Sequence, residues 1–320
     1  MKNKIILAIA LILVVLVIVV VVLNNNRVDN SLSNTNTNEE QSNNFYVADG
    51  AIYEKTGTVN ENAILANTEK INKTYQQYLQ NMNVYFTIIP DKTYYLEDKL
   101  DADFKDVVEN VESNLNRNIQ YFDISSVLEL EDYYKTDMHW KQENLENVID
   151  VIEKEMKIQN GNYEEPNYEE KILGDFYGTY YKEQKENNIE PDELKYLTNE
   201  EIEKSAVYNA ETESNEPVYN ISKAKETGNL YDAFLSGASA IEIIKNEQSE
   251  TGKKLILFRD SFGSSIAPLL INEYEEIVLI DLRYVNYTIL SNYVNFSDYE
   301  NQDVLFLYSS RVINKSGIFR

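Results

Sequence analysis

One segment of the sequence reads Leu255-Ile256-Leu257-Phe258-Arg259-Asp260-Ser261-Phe262-Gly263-Ser264-Ser265. Its first four residues form a short apolar run, which predicts a buried β-strand. The mostly small residues that follow predict a turn, and a helix is expected to begin over residues 266–272. A strand that feeds a helix is typical of a parallel sheet, in which sites gather beyond the carboxyl ends of the strands.

The same alternation of strand and helix extends along most of the sequence. Apolar runs predict further strands at residues 84–89, 119–124, 277–280 and 304–308. Apolar residues at helical spacing predict helices at residues 63–81, 104–115, 143–157 and 284–293. This order predicts an α/β fold, a three-layer sandwich whose mostly parallel central sheet is covered by helices on both faces. Residues 45–320 are expected to form this one domain.

The region 161–231 is the least patterned part of the predicted domain. Its residues are largely polar or acidic with many tyrosines, and their weak periodicity assigns no definite helix or strand. Within it, residues 174–180 contain Gly174 and Gly178 and predict a glycine-bearing turn.

The N-terminal part of the sequence predicts a membrane anchor. An uninterrupted apolar run of 19 residues begins at Ile5 and ends at Leu23, and as a helix it is long enough to cross a hydrocarbon core of about 30 Å. Lysines lie within residues 1–4, so the positive-inside tendency keeps this short stub in the cytoplasm. The alternative is a cleaved signal peptide, but the apolar regions of signal peptides usually span only about 7–15 residues and precede a small-residue cleavage pattern.

Residues 24–44 predict a flexible linker between the anchor and the domain. They are rich in Asn, Ser and Thr and contain almost nothing apolar, so they cannot bury enough surface to offset the entropy of ordering. The sequence therefore predicts a single-pass protein of the cell membrane whose C-terminal domain is extracellular.

The composition excludes several classes of function. The sequence contains 54 acidic and 29 basic residues, with a formal net charge of -25. Nucleic-acid binding is disfavoured, because it depends on basic patches that neutralise phosphates. There are no cysteines, which excludes disulfides, thiol nucleophiles and zinc–thiolate sites.

His139 is the only histidine in the sequence, so any imidazole base must be this residue. Asp137 lies two positions earlier, and in an extended or turn segment the two side chains point to the same side. The carboxylate can then reach the imidazole and hold its tautomer. The alternative is a surface histidine that happens to follow an acid.

Ser261 is the candidate nucleophile because it lies where the strand ends and the helix is about to begin. Its hydroxyl is expected at the crevice beyond the sheet, where its own N–H can contribute to an oxyanion hole. Gly263, Ser264 and Ser265 are expected to leave room for a substrate carbonyl. The alternative is a serine that only caps the helix. A serine nucleophile needs an adjacent base with an orienting group, and His139 with Asp137 can supply both.

Two motifs resemble a known superfamily. Asp260-Ser261-Phe262 resembles the Gly-Asp-Ser block of the SGNH (GDSL-type) hydrolases, and Asp137-x-His139-Trp140 resembles the Asp-x-His-Trp motif of the alginate O-acetyltransferase branch. Overall the sequence is most similar to the DHHW protein family. The similarity covers most of residues 45–320 and includes the segments 258–262 and 280–284. Met138 replaces the first histidine of the family name, and Arg259 stands where many SGNH enzymes carry glycine.

The resemblance implies a Ser-His-Asp triad and an acetyl-serine intermediate. Ser261 is then the nucleophile, His139 the general base and later the acid, and Asp137 the group that orients it. Transfer to a sugar hydroxyl of a cell-surface polysaccharide makes an O-acetyltransferase, and transfer to water makes an esterase; the sequence leaves both open. A multi-pass membrane O-acyltransferase that supplies acyl groups is the implied partner, and no cofactor is expected.

Further site residues are expected around this triad. The oxyanion N–H groups are expected from Ser261 and, as a second donor, Gly178. Trp140, Arg259 and Phe262 are candidates for binding substrate. Two alternatives remain: a catalytically silent carbohydrate-binding or assembly protein on the same fold, and a carboxylate site for Ca²⁺ or Mg²⁺.

Overall fold

The computed structural model describes residues 44–96, 103–158, 166–183 and 188–320. The predicted anchor at residues 5–23 and nearly all of the predicted linker lie outside these ranges. Within them, no helix combines the length and apolar character needed to span a membrane. The described residues belong to one compact unit, Asn44–Arg320.

Apolar runs in the sequence form the inner strands of a large sheet. In chain order the strands are β1 (Phe45–Ala48), β2 (Ala51–Glu54), β3 (Asn83–Ile89), β4 (Gln120–Tyr121), β5 (Glu169–Phe176), β6 (Asp192–Thr198), β7 (Ala206–Asn209), β8 (Ser214–Pro217), β9 (Ile241–Lys245), β10 (Lys254–Arg259), β11 (Glu276–Ile280) and β12 (Asp303–Ser309). Within the described ranges, eight of them form one sheet in the order β4-β3-β12-β10-β11-β9-β7-β8. The pairs β1-β2 and β5-β6 form separate two-stranded sheets.

The predicted α/β fold with a large central sheet is confirmed. From β4 to β11, neighbouring strands of the sheet are parallel. Beyond β11, the strands β9, β7 and β8 continue the sheet in antiparallel register. The parallel prediction therefore holds for one side of the sheet and fails at the other edge. Strands β7 and β8 have only four residues each and are partly exposed, and they lie in the region that the sequence left unassigned.

Helices occupy most of the predicted positions. The α-helices are α1 (Glu61–Thr74), α2 (Phe104–Asn114), α3 (Glu146–Met156), α4 (Thr179–Glu183), α5 (Glu200–Lys204), α6 (Ile221–Thr227), α7 (Phe262–Ile266) and α8 (Ser310–Ile313). A π turn at Tyr75–Leu79 extends α1, and 3-10 turns occur at Lys92–Tyr95, Ser125–Val127, Leu130–Asp132, Gln142–Asn144, Leu230–Ala233, Ala267–Leu270, Tyr287–Asn292 and Phe296–Tyr299. Asn60 and Asp103 cap α1 and α2, since each side chain accepts a backbone N–H of the first turn.

Three local predictions are corrected. Within residues 284–293 the structure has a 3-10 turn at Tyr287–Asn292 instead of the predicted α-helix. The strand predicted at residues 119–124 is only two residues long, because it pairs with β3 alone at the edge of the sheet. Helix α7 begins at Phe262, four residues earlier than expected, so Ser261 occupies the position directly before it.

Side chains of the inner strands alternate between two hydrophobic clusters. In β10, Leu255 and Leu257 belong to one cluster, and Ile256 and Phe258 belong to the other. Residues of α3 complete the first cluster, and residues of α1 and α2 complete the second. Each fully buried side chain of this kind contributes roughly 2 kcal/mol. The sheet is therefore covered by helices on both faces, and its functional surface is expected at the strand ends.

Candidate active site

Ser261 lies at the carboxyl end of β10, directly before α7. Its side chain makes no capping hydrogen bond to that helix. The neighbouring Asp260 carboxylate serves the turn instead, accepting the N–H groups of Phe262 at 3.0 Å and Ser309 at 2.8 Å. The Ser261 hydroxyl is therefore left available for a different contact.

That contact is with the only histidine. The Oγ of Ser261 lies 2.8 Å from Nε2 of His139, although the two residues are 122 positions apart in the chain. Nδ1 of the same ring lies 2.5 Å from Oδ1 of Asp137. An Nδ1–H that donates to a carboxylate leaves Nε2 to accept the serine proton. The structure thus brings the three predicted residues into one hydrogen-bonded chain.

The Asp137 carboxylate is held on both of its oxygens. Oδ1 also accepts the backbone N–H of His139 at 3.0 Å, and Oδ2 accepts that of Thr179 at 2.7 Å. Burial alone would raise the pKa of Asp137, but the His139 charge and these hydrogen bonds outweigh it and hold the pKa well below its usual range. The group is therefore ionised at neutral pH and oriented toward the imidazole.

A short loop carries Asp137 and His139. Tyr133 and Trp140 pair as an antiparallel bridge at its base. Asp192 holds one side, accepting the Thr136 N–H at 2.8 Å and the Thr136 hydroxyl at 2.6 Å. The loop is consequently anchored before and after the residues that carry the site.

Ser265 connects this loop to α7. Its Oγ accepts the indole N–H of Trp140 at 2.8 Å and the hydroxyl of Tyr231 at 3.0 Å, and donates to the Phe262 carbonyl at 3.1 Å. The Tyr231 ring stacks on the His139 imidazole with 4.0 Å between ring centres. Ser265 therefore positions the two halves of the site, which corrects the expectation that it leaves room for a substrate.

All three predicted substrate-binding residues, Trp140, Arg259 and Phe262, are buried. Trp140 is fully buried, and Arg259 is 1% exposed. Arg259 forms an ion pair with Glu242, at 2.8 Å between Nη2 and Oε2, beneath the nucleophile turn. A Cβ on Gly263 would lie 2.5 Å from Cβ of Arg259, so this glycine makes room for the arginine and not for a substrate. Trp140 and Arg259 support the site from beneath, and the prediction that they contact substrate is wrong for this structure.

Gly178 does not offer the predicted oxyanion N–H. Its N–H donates to the Thr136 hydroxyl at 3.1 Å. A Cβ at this position would lie 2.4 Å from Cβ of Asp137 and 2.5 Å from the Thr136 carbonyl oxygen. Glycine is therefore needed so that the chain can pass close to Asp137 and deliver the N–H of Thr179. The Ser261 N–H, by contrast, has no hydrogen-bond partner in the part of the chain that the structure describes, which suits an oxyanion donor.

This close approach leads to a first prediction. Gly178→Ala should displace Asp137 and lower kcat/KM for an activated ester by about 10–100-fold, because small misplacements of a catalytic group have effects of that size. Thr179→Ala is the matched control, since it keeps the backbone N–H that Asp137 accepts. Steady-state rates and melting temperatures of both variants check this; wild-type rates in a folded Gly178→Ala protein would contradict it.

A cavity of about 630 Å³ opens beside Ser261, a volume in the usual range for small-molecule sites. It lies where the parallel strands β3, β10 and β12 end. Phe262 and Met138 line it, although Phe262 is only 2% exposed, so a contact of Phe262 with substrate stays a prediction. Charged and polar residues complete the wall, among them Lys55, Asp91, Thr93, Arg283, Ser310, Arg311 and Lys315. Across residues 44–96, 103–158, 166–183 and 188–320, no cluster of three or more His, Asp or Glu side chains is spaced to hold a metal ion.

Several residues that build the site were not identified from the sequence. Thr179, Asp192 and Tyr231 contact the triad or its loop, yet they lie in the weakly patterned region 161–231. Gly174 and Gly178 were the only local signal there. Gly174 lies within β5 at a register shift. The turn that approaches Asp137 is at Gly178.

Comparisons with known proteins identify the fold. No family model and no curated protein matches the sequence. A DHHW family protein from Eubacterium siraeum has a similar structure, with a TM-score of 0.69 and 20% sequence identity over 87% of this chain and 94% of that one. The similarity to that family predicted from the sequence is therefore confirmed at the level of the fold.

Two further solved structures share this fold. Bacillus cereus PatB1 with a sulfonyl adduct has a TM-score of 0.66 and 16% identity, covering 86% of this chain and 98% of that one. The O-acetyltransferase domain of Pseudomonas putida AlgJ has a TM-score of 0.53 and 12% identity, covering 86% of this chain and 94% of that one. At these identities the likeness concerns the fold alone.

Proposed function

We propose that this protein is a serine-dependent O-acyltransferase or esterase that works through an acyl-serine intermediate. The observation that carries the proposal is the continuous chain from Ser261 Oγ to His139 Nε2 at 2.8 Å and from His139 Nδ1 to Asp137 Oδ1 at 2.5 Å. These distances lie within or at the edge of hydrogen-bond reach for a nucleophile, its base and the orienting group.

The geometry supports a two-step reaction. As Ser261 Oγ bonds to the acyl carbon, His139 Nε2 takes the serine proton, and the Ser261 N–H donates to the developing oxyanion. The imidazolium is stabilised by Asp137 and returns its proton to the departing oxygen, which leaves an acyl-serine. In the second step His139 takes a proton from the acceptor hydroxyl, whose oxygen bonds to the acyl carbon. The imidazolium then returns the proton to Ser261 Oγ as the bond between Oγ and the acyl carbon breaks.

The structural relatives favour acyl transfer among the reactions open to such a triad. The AlgJ domain is an O-acetyltransferase, and the sulfonyl adduct of PatB1 is the kind of product that forms when a nucleophile meets a sulfonyl electrophile. We therefore propose an SGNH hydrolase-like three-layer sandwich that transfers acetyl groups. The proposed acceptor is a hydroxyl of a cell-surface polysaccharide, which the open cavity beside Ser261 can admit.

The proposed setting is the outer face of a cell membrane. Residues 5–23 would anchor the chain, with the domain outside the cell, and a multi-pass membrane O-acyltransferase would supply the acyl group. These proposals rest on the hydropathy of the N-terminal sequence and on the family resemblance.

The decisive experiment traps the covalent intermediate. The full chain, extracted in detergent, is incubated with an activated acetyl ester; intact mass spectrometry should show one added acetyl group, and peptide mapping should place it on Ser261. Adding an oligosaccharide acceptor should then speed its loss and acetylate the sugar if the protein is a transferase, and leave the rate unchanged if it is an esterase.

A sulfonyl fluoride gives an independent check, because it should modify the same serine and block acetylation. A folded chain that takes no label, or that carries the label on another residue, would contradict the proposal. If that inert chain nevertheless bound glycans, it would be a carbohydrate-binding or assembly protein.

A further inference from the structure

A buried lysine lies beneath the loop that carries Asp137 and His139. Lys92 is only 1% exposed and directly follows Asp91 beyond the end of β3. Its Nζ donates to the carbonyl oxygens of Tyr134 at 2.9 Å, Lys135 at 3.3 Å and Asp137 at 2.8 Å. An ammonium has three N–H donors, so each donor serves one carbonyl of this loop.

Two aromatic rings also face Lys92. Its Nζ lies 5.0 Å from the ring centres of both Tyr53 and Tyr180, a distance at which ring faces attract a cation. No carboxylate among the described residues lies within ion-pair distance of Nζ. Burial of an ammonium without such a partner is expensive, so the three carbonyl oxygens and the two ring faces must offset that cost.

We propose that Lys92 is a positioning residue that holds the His139 loop in its reactive arrangement. The mechanical connection runs through Asp137, whose carbonyl oxygen binds Lys92 while its carboxylate binds the imidazole. If the peptide at Asp137 moves, the carboxylate and the imidazole move with it. The effect of Lys92 on catalysis rests on the proposed function, whereas its control of the loop geometry does not.

The protonation state of Lys92 provides a way to test this role. Burial lowers the pKa of Lys92 to about 8, although the carboxylates of Asp91, Asp137 and Asp192 raise it and the Arg311 guanidinium lowers it further. Loss of the proton removes the charge and one of the three donors. Burial raises the pKa of the two facing rings, Tyr53 and Tyr180, so they stay neutral over this range.

As the pH rises, loss of the Lys92 proton should loosen the loop but should not lower the stability of the fold. Between about pH 8 and the ordinary lysine pKa of 10.5, the unfolded chain binds more protons at this group than the folded chain does. The contribution of Lys92 to stability therefore rises with pH in that window. A loss of loop order without a loss of stability would distinguish positioning from a general structural role.

The experiment reads the loop through Trp140, the only tryptophan, which directly follows His139. Its fluorescence is titrated from about pH 6 to about pH 10 in the full chain, in Lys92→Arg, in Lys92→Met and in the control Lys135→Met, which changes an exposed lysine of the same loop. We expect one transition near pH 8 in wild type and in the control. No transition is expected in Lys92→Arg, which stays charged, or in Lys92→Met, which has no charge to lose.

Activity provides the second measurement. Lys92→Met should lower kcat/KM by about 10–100-fold, and Lys92→Arg should retain more of the activity. The proposal is overturned if wild type shows no transition, if the transition persists in Lys92→Arg or Lys92→Met, or if folded Lys92→Met keeps wild-type rates. If Lys92→Met does not fold, the fluorescence titrations of wild type and Lys92→Arg still test the proposal. A folded wild-type protein that forms no acyl-serine with the activated ester would refute the proposed function, while the fluorescence titration would still test the role of Lys92.

Discussion

Ser261→Ala is expected to abolish acyl-enzyme formation and to lower turnover of an activated ester by about 10⁴–10⁶-fold. The reason is that Ser261 Oγ is the group that His139 Nε2 contacts at 2.8 Å, so no nucleophile remains when it is removed. His139→Ala should have a loss of similar size, because no other histidine exists to replace the base. The double variant should be little worse than either single one, since the residues act as a unit.

Ser264→Ala is the matched control for this experiment. It removes a hydroxyl from the same helix, α7, but that hydroxyl takes no part in the triad. Its turnover should stay within a few-fold of wild type, and melting temperatures should confirm that all the variants fold. Undiminished turnover or undiminished serine labelling in Ser261→Ala would refute the mechanism.

Asp137→Asn is expected to lower kcat/KM by about 10³–10⁴-fold and to leave a small residual activity. The carboxylate accepts two N–H groups from His139 and one from Thr179. An amide has one accepting oxygen, and its NH₂ group cannot accept, so at least one of these donors loses its partner. Loss of the Nδ1 contact would favour the wrong imidazole tautomer, in which Nε2 carries the proton and cannot act as a base.

The same substitution has a defined effect on stability against pH. Because the pKa of folded Asp137 lies well below its usual value, the carboxylate contributes stability that is present above its unfolded pKa of about 3.9 and is lost as the pH falls through the folded pKa. Wild type should therefore lose stability more steeply than Asp137→Asn in acid. Rates and melting temperatures across pH check this, with Asp175→Asn, an exposed carboxylate on β5, as the control. A fall of only a few-fold in kcat/KM would show that Asp137 does not orient the base.

Strands in the parallel, buried part of the sheet were predictable, whereas the antiparallel strand β9 was not predicted although it too has two neighbours in the sheet. The runs at residues 84–89, 277–280 and 304–308 are continuous apolar segments because both faces of those strands are buried, and they agree with β3, β11 and β12 to within one residue at either end. The short edge strand β4 was overestimated. The strands between residues 169 and 217 were not predicted, because partly exposed polar strands carry no strong periodicity.

The candidate triad was predictable for a different reason. The sequence contains a single histidine with an acid two positions before it, so the choice of base and of orienting group was narrow. Ser261 was identified from its position after an apolar strand. By contrast, the assignments of Trp140, Arg259 and Gly178 failed, because their burial and their hydrogen bonds depend on partners far away in the chain.

The amino-acid sequence by itself determined the elements whose causes are local. Apolar runs, turn residues and the i, i+2 spacing of Asp137 and His139 act between neighbours and leave a readable pattern. Only the tertiary structure decided which hydrogen-bonding groups have a partner within the protein and which are free. Ser265 joins two segments, the Gly178 N–H is occupied while that of Ser261 is not, and Lys92 sits beneath the loop. Each of these outcomes depends on desolvation and hydrogen bonding between residues brought together by folding, for which the linear sequence has no pattern.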